Sequence, residues 1–123
     1  MPATVQKKRI AIFGSTGSIG TQALDVVRAQ ANLFEVEILT AQTNDVLLIK
    51  QALEFTPNAV VIGDESKYNK VKEALEGHGI KVFTGETALE EVADFDNYDI
   101  MLAAIVGFAG LKPTLKAVAK GKM

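Results

Sequence analysis

Short apolar runs alternate with amphipathic stretches along the chain, and no low-complexity segment interrupts them. Apolar runs of about four to eight residues between turn signals are typical of strands, whereas apolar residues at helical spacing predict helices. The predicted strands lie at residues 9–13, 34–39, 59–62, 81–84 and 99–106. The predicted helices lie at residues 18–28, after Asp45, and at 66–76, 87–93 and 111–120.

This alternation predicts an α/β fold: a Rossmann-like, doubly wound parallel sheet with helices on both faces. Residues 100–106 form an almost unbroken apolar run, as expected of a parallel strand that is covered on both faces. The alternative is an α+β domain with a mixed sheet. A chain of 123 residues fits a single domain, over 1–123, with a core of its own.

The segment with the strongest chemical signal is the loop Gly14-Ser-Thr-Gly-Ser-Ile-Gly20, between the first predicted strand and the first predicted helix. Gly14 allows the chain to turn, Gly17 allows close approach of a phosphate, and Gly20 allows the helix to pack closely. The free N–H groups and the dipole of the helix start favour an anion there. The hydroxyls of Ser15, Thr16 and Ser18 are expected to add donors. The alternative is a glycine-rich turn that binds no ligand.

The end of the second predicted strand bears on which nicotinamide cofactor is bound. Enzymes that use NAD place an acid there, which holds the ribose hydroxyls and repels a 2′-phosphate. Here the sequence reads Leu39-Thr-Ala-Gln-Thr-Asn44, with no acid before Asp45, and Asp45 is predicted to cap the next helix. Neutral donors without an acid favour NADP. The alternative is a polar turn that only caps the helix.

Composition excludes several other classes of function. A net charge of −2 gives no basic field for nucleic acid, and the absence of cysteine excludes thiolate catalysis and cysteine-bound zinc. The first apolar run is too short for a signal peptide or a membrane span, so a cytoplasmic protein is expected. His78, the only histidine, lies between two glycines and is expected to be a solvated turn residue. No catalytic acid or base and no metal-binding carboxylate cluster is apparent.

Two blocks of sequence resemble one enzyme family. The glycine loop continues into Ala23-Leu-Asp-Val-Val27, and a second block reads Ala103-Ala-Ile-Val-Gly-Phe-Ala-Gly-Leu-Lys-Pro-Thr-Leu115, followed by Gly121-Lys122. Together they closely resemble the N-terminal domain of the 1-deoxy-D-xylulose 5-phosphate reductoisomerases, and the resemblance spans essentially the whole chain. The glycine loop is shared with other reductases, whereas the second block is highly specific.

The resemblance implies an enzyme of the non-mevalonate isoprenoid pathway. The family rearranges 1-deoxy-D-xylulose 5-phosphate and reduces the intermediate with NADPH to 2-C-methyl-D-erythritol 4-phosphate, using Mg²⁺ or Mn²⁺, usually as a homodimer. By position, Thr16, Gly17, Ser18 and Ile19 match its pyrophosphate loop. The matches elsewhere are Gln42, Thr43 and Asn44 in its 2′-phosphate loop, and Ala104 and Ile105 in a segment that lines the cofactor.

The chain departs from the family in two ways. The family's second loop often reads Gly-Lys-Asn. Here Gln42 and Thr43 replace the glycine and the lysine, so the 2′-phosphate loses its positive partner. The family's metal ligands and substrate-covering loop also lie in segments that this chain does not include. The chain alone is therefore expected to be inactive. The alternatives are the N-terminal domain of a semialdehyde-dehydrogenase-type reductase and a stand-alone dinucleotide-sensing domain.

Overall fold

Strands and helices alternate through the part of the chain that the structure, a computed structural model, describes: residues 7–93 and 98–103. The strands are β1 (Lys8–Phe13), β2 (Phe34–Ala41), β3 (Ala59–Ile62), β4 (Lys81–Thr84) and β5 (Ile100–Ala103). The helices are α1 (Ser18–Ala29), α2 (Asp45–Phe55), α3 (Tyr68–Leu75) and α4 (Glu86–Ala93), and a 3-10 turn (Glu65–Lys67) precedes α3.

The strands form one parallel sheet in the order β4-β3-β2-β1-β5. The chain therefore runs outward from β1 through β2, β3 and β4, and then returns to place β5 on the other side of β1. Strand β1 is the point at which the order reverses. The predicted parallel α/β fold is confirmed, and the alternative of a mixed sheet is wrong for the described strands.

Two apolar clusters cover the two faces of the sheet. The larger one joins Ile10 and Ile12 of β1 to the buried sides of α1, α2 and α3. The smaller one joins Ala11 and Phe13 of β1 to the buried side of α4. Successive residues of a strand point to opposite faces, so β1 contributes to both clusters and is buried between α1, α2 and α3 on one face and α4 on the other. This is the doubly wound arrangement that the alternating pattern predicts.

The structure differs from the predicted elements at several ends. Strand β2 continues to Ala41, and the helix predicted at 66–76 divides into the 3-10 turn and α3. Asp64 caps the 3-10 turn, because its carboxylate accepts a hydrogen bond from Ser66 N at 3.0 Å. Beyond α3, Gly77 and Gly79 have positive φ angles, and His78 between them is exposed as predicted. The predicted helix at 111–120 lies outside the described residues.

Candidate cofactor-binding site

The predicted glycine loop lies at the carboxyl end of the central strand. Phe13, the last residue of β1, pairs with Thr40 of β2 on one side and with Ala103 of β5 on the other. Because β2 and β5 lie on opposite sides of β1, a crevice is expected beyond this end of the sheet. In open parallel sheets, ligands bind at such a reversal point.

The end of β2 holds the first half of the loop. Gly14 N donates to the Thr40 hydroxyl at 2.9 Å, and Ser15 N donates to the Thr40 carbonyl oxygen at 2.8 Å. Thr40 is 1% exposed, so both bonds are shielded from water. Gly14 has φ +88°, a conformation that favours glycine, as the predicted turn requires. The loop therefore leaves β1 in a fixed direction.

A second anchor comes from α2. Ser15 Oγ donates to Gln51 Oε1 at 2.7 Å, and Gln51 Nε2 donates to the Ser15 carbonyl oxygen at 2.9 Å. Both residues are buried. The prediction that the Ser15 hydroxyl is a donor to a ligand is therefore wrong, because that hydroxyl faces inward and is already bonded. Thr40 and Gln51 were not predicted as site residues, because nothing in the local pattern marks them as partners of a loop about 25 to 36 residues away.

Gly17 and Gly20 differ in whether the surrounding backbone leaves space for a side chain. A Cβ on Gly20 would lie 2.1 Å from the carbonyl oxygen of Gly14, so contact between α1 and the loop backbone excludes any side chain. A Cβ on Gly17 would lie 3.6 Å from the same oxygen, which is an ordinary contact. Packing within the described residues therefore requires Gly20 and not Gly17. The space beside Gly17 is open, as a phosphate would need it to be.

Helix α1 begins at this open space with its N-terminus uncapped by a side chain among the described residues. Gly17 occupies the cap position with φ −80° and ψ 177°. Ser18 and Ile19 of the first turn are exposed, and Ile19 is 62% exposed despite its apolar side chain. Thr16 is half-buried. The first N–H groups of a helix lack intrahelical acceptors, so this end of α1 can bind an anion.

The second predicted loop lies beside the first, at the end of β2. Asn44 Oδ1 accepts a hydrogen bond from Leu47 N at 3.2 Å and caps α2. The prediction that Asp45 caps this helix is wrong by one residue, because Asp45 is already its first helical residue. Capping occupies only the side-chain oxygen of Asn44, so its side-chain amide protons stay available. Gln42 and Thr43 are exposed.

Asp45 lies in a charged cluster behind this loop. Its side chain is 8% exposed, and its carboxylate oxygens lie 2.8 Å from Lys70 Nζ and 3.4 Å from Lys67 Nζ. The hydrogen bond from Lys70, supported by the one from Lys67, lowers the pKa of Asp45 to about 2. Lys67 Nζ also donates to the Thr43 carbonyl oxygen at 2.8 Å. Lys67 was not predicted from the sequence to contact this loop.

The remaining predicted site residues, Ala104 and Ile105, lie outside the described residues. Within the described ranges, no three His, Cys, Asp or Glu side chains are grouped so as to hold a metal ion. Nor does any helix in those ranges have the length and apolar character needed to cross a membrane.

A parallel sheet that reverses its order at β1, with an uncapped glycine-rich helix start at that point, defines a dinucleotide-binding α/β domain of the Rossmann type. The model of the 1-deoxy-D-xylulose 5-phosphate reductoisomerase family matches residues 10–123. The chain belongs to that family.

Curated relatives and solved structures agree with this assignment. The reductoisomerase of Phocaeicola vulgatus is 51% identical over 116 residues, covering 94% of this chain and 30% of that protein. The one from Thermoanaerobacter pseudethanolicus is 44% identical over 115 residues, again covering 94% of this chain and 30% of the relative. The chain therefore spans about a third of the length of the relatives it matches.

The described fold also matches solved structures of these enzymes. The Zymomonas mobilis reductoisomerase in complex with NADPH has a TM-score of 0.90 at 40% identity, covering 95% of this chain and 31% of that one. A reductoisomerase structure with NADPH, fosmidomycin and magnesium has a TM-score of 0.88 at 32% identity, covering 94% and 28%. The comparisons do not favour the semialdehyde dehydrogenase or the sensing-domain alternative.

Proposed function

We propose that this chain binds NADPH and is the cofactor-binding domain of a 1-deoxy-D-xylulose 5-phosphate reductoisomerase. The observation that carries the proposal is the uncapped start of α1 beside Gly17, at the reversal point of the sheet. Family membership and the solved relatives with bound NADPH support it.

The glycine loop fits a pyrophosphate. Gly17 leaves open space where an added Cβ would make only an ordinary contact, and the N–H groups of Ser18 and Ile19 begin the helix there. The helix dipole places roughly half a positive charge at this end. The hydrogen bonds of the loop with Thr40 and Gln51 hold it in place before any ligand binds, which reduces the entropy that binding would cost.

The loop of Gln42, Thr43 and Asn44 is proposed to bind the 2′-phosphate of the adenosine ribose. These residues supply neutral donors, and the nearby Asp45 carboxylate is paired with two lysines and withdrawn from the surface. An exposed acid at this point would favour NADH. Ala104 and Ile105, which follow β5, are proposed to line the cofactor as the family resemblance implies.

The activity of the whole protein is also a proposal. NADPH supplies the hydride for reducing the rearranged intermediate of 1-deoxy-D-xylulose 5-phosphate to 2-C-methyl-D-erythritol 4-phosphate. A relative solved with magnesium supports a divalent metal in the full-length enzyme, whose ligands would belong to other segments. We further propose that residues 1–123 form one domain, that the enzyme is cytoplasmic, and that it is a homodimer.

The test is calorimetric titration of NADPH into a protein of full family length that carries this chain, comparing the parent with Gly17→Val. The valine side chain would occupy the proposed phosphate position, so binding should be lost while the circular dichroism spectrum is retained. Ala74→Val introduces the same valine side chain at an exposed position of α3 and is the control. Unchanged NADPH affinity in a folded Gly17→Val protein would refute the proposed site.

A further inference from the structure

Lys67 brings a positive charge to the loop proposed to bind the 2′-phosphate, which has no cation of its own. The loop residues are Gln42, Thr43 and Asn44, all of them neutral. Lys67 follows them by more than 20 residues in sequence, yet its Nζ lies 2.8 Å from the Thr43 carbonyl oxygen. Its side chain is 37% exposed, so the ammonium group is tethered to the loop and still reachable from solvent.

Backbone hydrogen bonds fix Lys67 in this position. Beyond the ends of β2 and β3, Gly63 N donates to the Ala41 carbonyl oxygen at 2.9 Å and Asp64 N donates to that of Gln42 at 2.8 Å. The loops after the two strands are therefore joined edge to edge. A Cβ on Gly63 would lie 2.4 Å from Gln42 Oε1, so the Gln42 side chain also rests against the second loop.

The 3-10 turn then directs Lys67 back toward the first loop. Lys67 N donates to the Asp64 carbonyl oxygen at 3.0 Å, and the Asp64 carboxylate caps the turn through Ser66. The position of the lysine backbone thus depends on local bonds of its own turn.

The Asp45 carboxylate beside Lys67 is already paired with two lysines. The buried carboxylate of Asp45 is paired with Lys70 through one oxygen and with Lys67 through the other. Asp64 of the neighbouring turn adds a second carboxylate, which is hydrogen-bonded to Ser66. The side chains of Lys67 and Lys70 are 37% and 61% exposed, whereas that of Asp45 is only 8% exposed. An ammonium group has three protons, and the contacts with Thr43 and Asp45 leave one for a further acceptor.

We propose that Lys67 is a specificity-determining residue, whose ammonium group binds the 2′-phosphate and sets the preference for NADPH over NADH. This inference rests on the proposed function. A phosphate monoester carries about −1.5 to −2 charges at neutral pH, whereas the corresponding hydroxyl of NADH is neutral. Loss of the lysine charge should therefore weaken NADPH binding by about tenfold, as expected for one hydrogen bond between charged groups at a partly exposed site. NADH binding should change little.

The experiment titrates NADPH and NADH separately into a protein of full family length that carries this chain. Lys67→Gln keeps a donor for the Thr43 carbonyl oxygen and removes the charge, while Lys67→Arg keeps the charge. Lys72→Gln is the matched control, because it removes the same charge from the nearby α3, where Lys72 lies 5.6 Å from the Tyr68 ring centre and does not contact the loop. Thermal unfolding of each variant shows that it is folded.

The ratio of the two affinities separates the outcomes. The assignment is supported if the affinity for NADPH divided by the affinity for NADH falls about tenfold in Lys67→Gln. The same ratio should stay near the parent value in Lys67→Arg and Lys72→Gln. Equal weakening of both nucleotides in Lys67→Gln would mean that Lys67 only organises the loop, and would overturn the inference while leaving the proposed function intact. A parent protein that binds neither nucleotide would overturn both.

Discussion

Gln51 of α2 and Ser15 of the glycine loop exchange two hydrogen bonds, with the Ser15 hydroxyl donating at 2.7 Å and the Gln51 amide donating back at 2.9 Å. Helix α2 begins immediately after the Gln42–Asn44 loop. The same helix therefore holds the glycine loop through Gln51 and is joined directly to the loop proposed to bind the 2′-phosphate. The two loops are thereby fixed relative to each other by a buried polar contact, before any cofactor binds.

Replacing Gln51 with leucine should destabilise the protein by roughly 1–3 kcal/mol, because the buried Ser15 carbonyl oxygen would lose the Gln51 amide. The Ser15 hydroxyl would keep the Thr40 carbonyl oxygen, 3.2 Å away, as an acceptor. The measurement is the free energy of unfolding in urea. Gln22→Leu, at an exposed position of α1, is the control and should have little effect. If the two variants unfolded alike, the buried contact would not be what holds the loop.

Gly20→Ala should destabilise the protein, which is the reverse of the usual effect inside a helix. Alanine is ordinarily favoured over glycine there by about 1 kcal/mol. Here the new Cβ would lie 2.1 Å from the Gly14 carbonyl oxygen, a backbone atom that cannot swing away. Gly17→Ala is the comparison, because a Cβ at that position would lie 3.6 Å from the same oxygen. Its free energy of unfolding should be within about 1 kcal/mol of the parent value. Equal or greater thermal stability of Gly20→Ala would contradict the described packing of α1.

The fold was largely predictable from the sequence, and the site only in part. Each strand and helix leaves a local apolar pattern, so the alternation of short runs and helical periods was sufficient to predict a parallel sheet. Gly14 and Gly17 were found because their spacing and their place after a strand are themselves a local signal. The contacts of Thr40, Gln51 and Lys67 with the loops depend on which strands become neighbours, and no local pattern records that.

Two predictions about side chains were wrong for a related reason. Ser15 and Asp45 were assigned roles from their residue types and their places in the sequence. The direction of a side chain depends on what packs behind it: Ser15 turns inward because Gln51 offers it a buried partner, and Asp45 turns toward two lysines of the 3-10 turn and α3. A helix start marked by adjacent Asn and Asp residues is also ambiguous by one position.

Asp45 should make the protein more stable at neutral pH than at acid pH. Its pKa is lowered from 3.8 to about 2 in the folded state, so the charged form stabilises the fold above pH 3.8 and this contribution is lost as the pH falls toward 2. Asp45→Asn should lower stability at neutral pH and flatten the decline between pH 4 and 2. The measurement is the free energy of unfolding, followed by circular dichroism between neutral pH and about pH 2. Glu73→Gln, on the exposed side of α3, is the control. An unchanged acid profile in Asp45→Asn would show that the two lysines do not hold this carboxylate.

The 123-residue chain alone should show no reductoisomerase turnover. It spans about a third of the length of its relatives, and its described residues include no group of side chains able to hold a metal ion. Without a metal to polarise the substrate carbonyl, hydride transfer lacks its electrostatic assistance. The assay follows NADPH absorbance in the presence of Mn²⁺ and 1-deoxy-D-xylulose 5-phosphate, with a protein of full family length as the positive control. Metal-dependent oxidation of NADPH by the chain alone would place catalytic groups within these residues.

The central claim is that the backbone at the start of α1 binds the cofactor pyrophosphate. The most direct measurement is a crystal structure, with NADPH bound, of a protein of full family length that carries this chain. We expect pyrophosphate oxygens within about 3 Å of the backbone N atoms of Ser18 and Ile19, in the open space beside Gly17. NADPH bound with its pyrophosphate away from this loop, and the start of α1 facing only water, would contradict it.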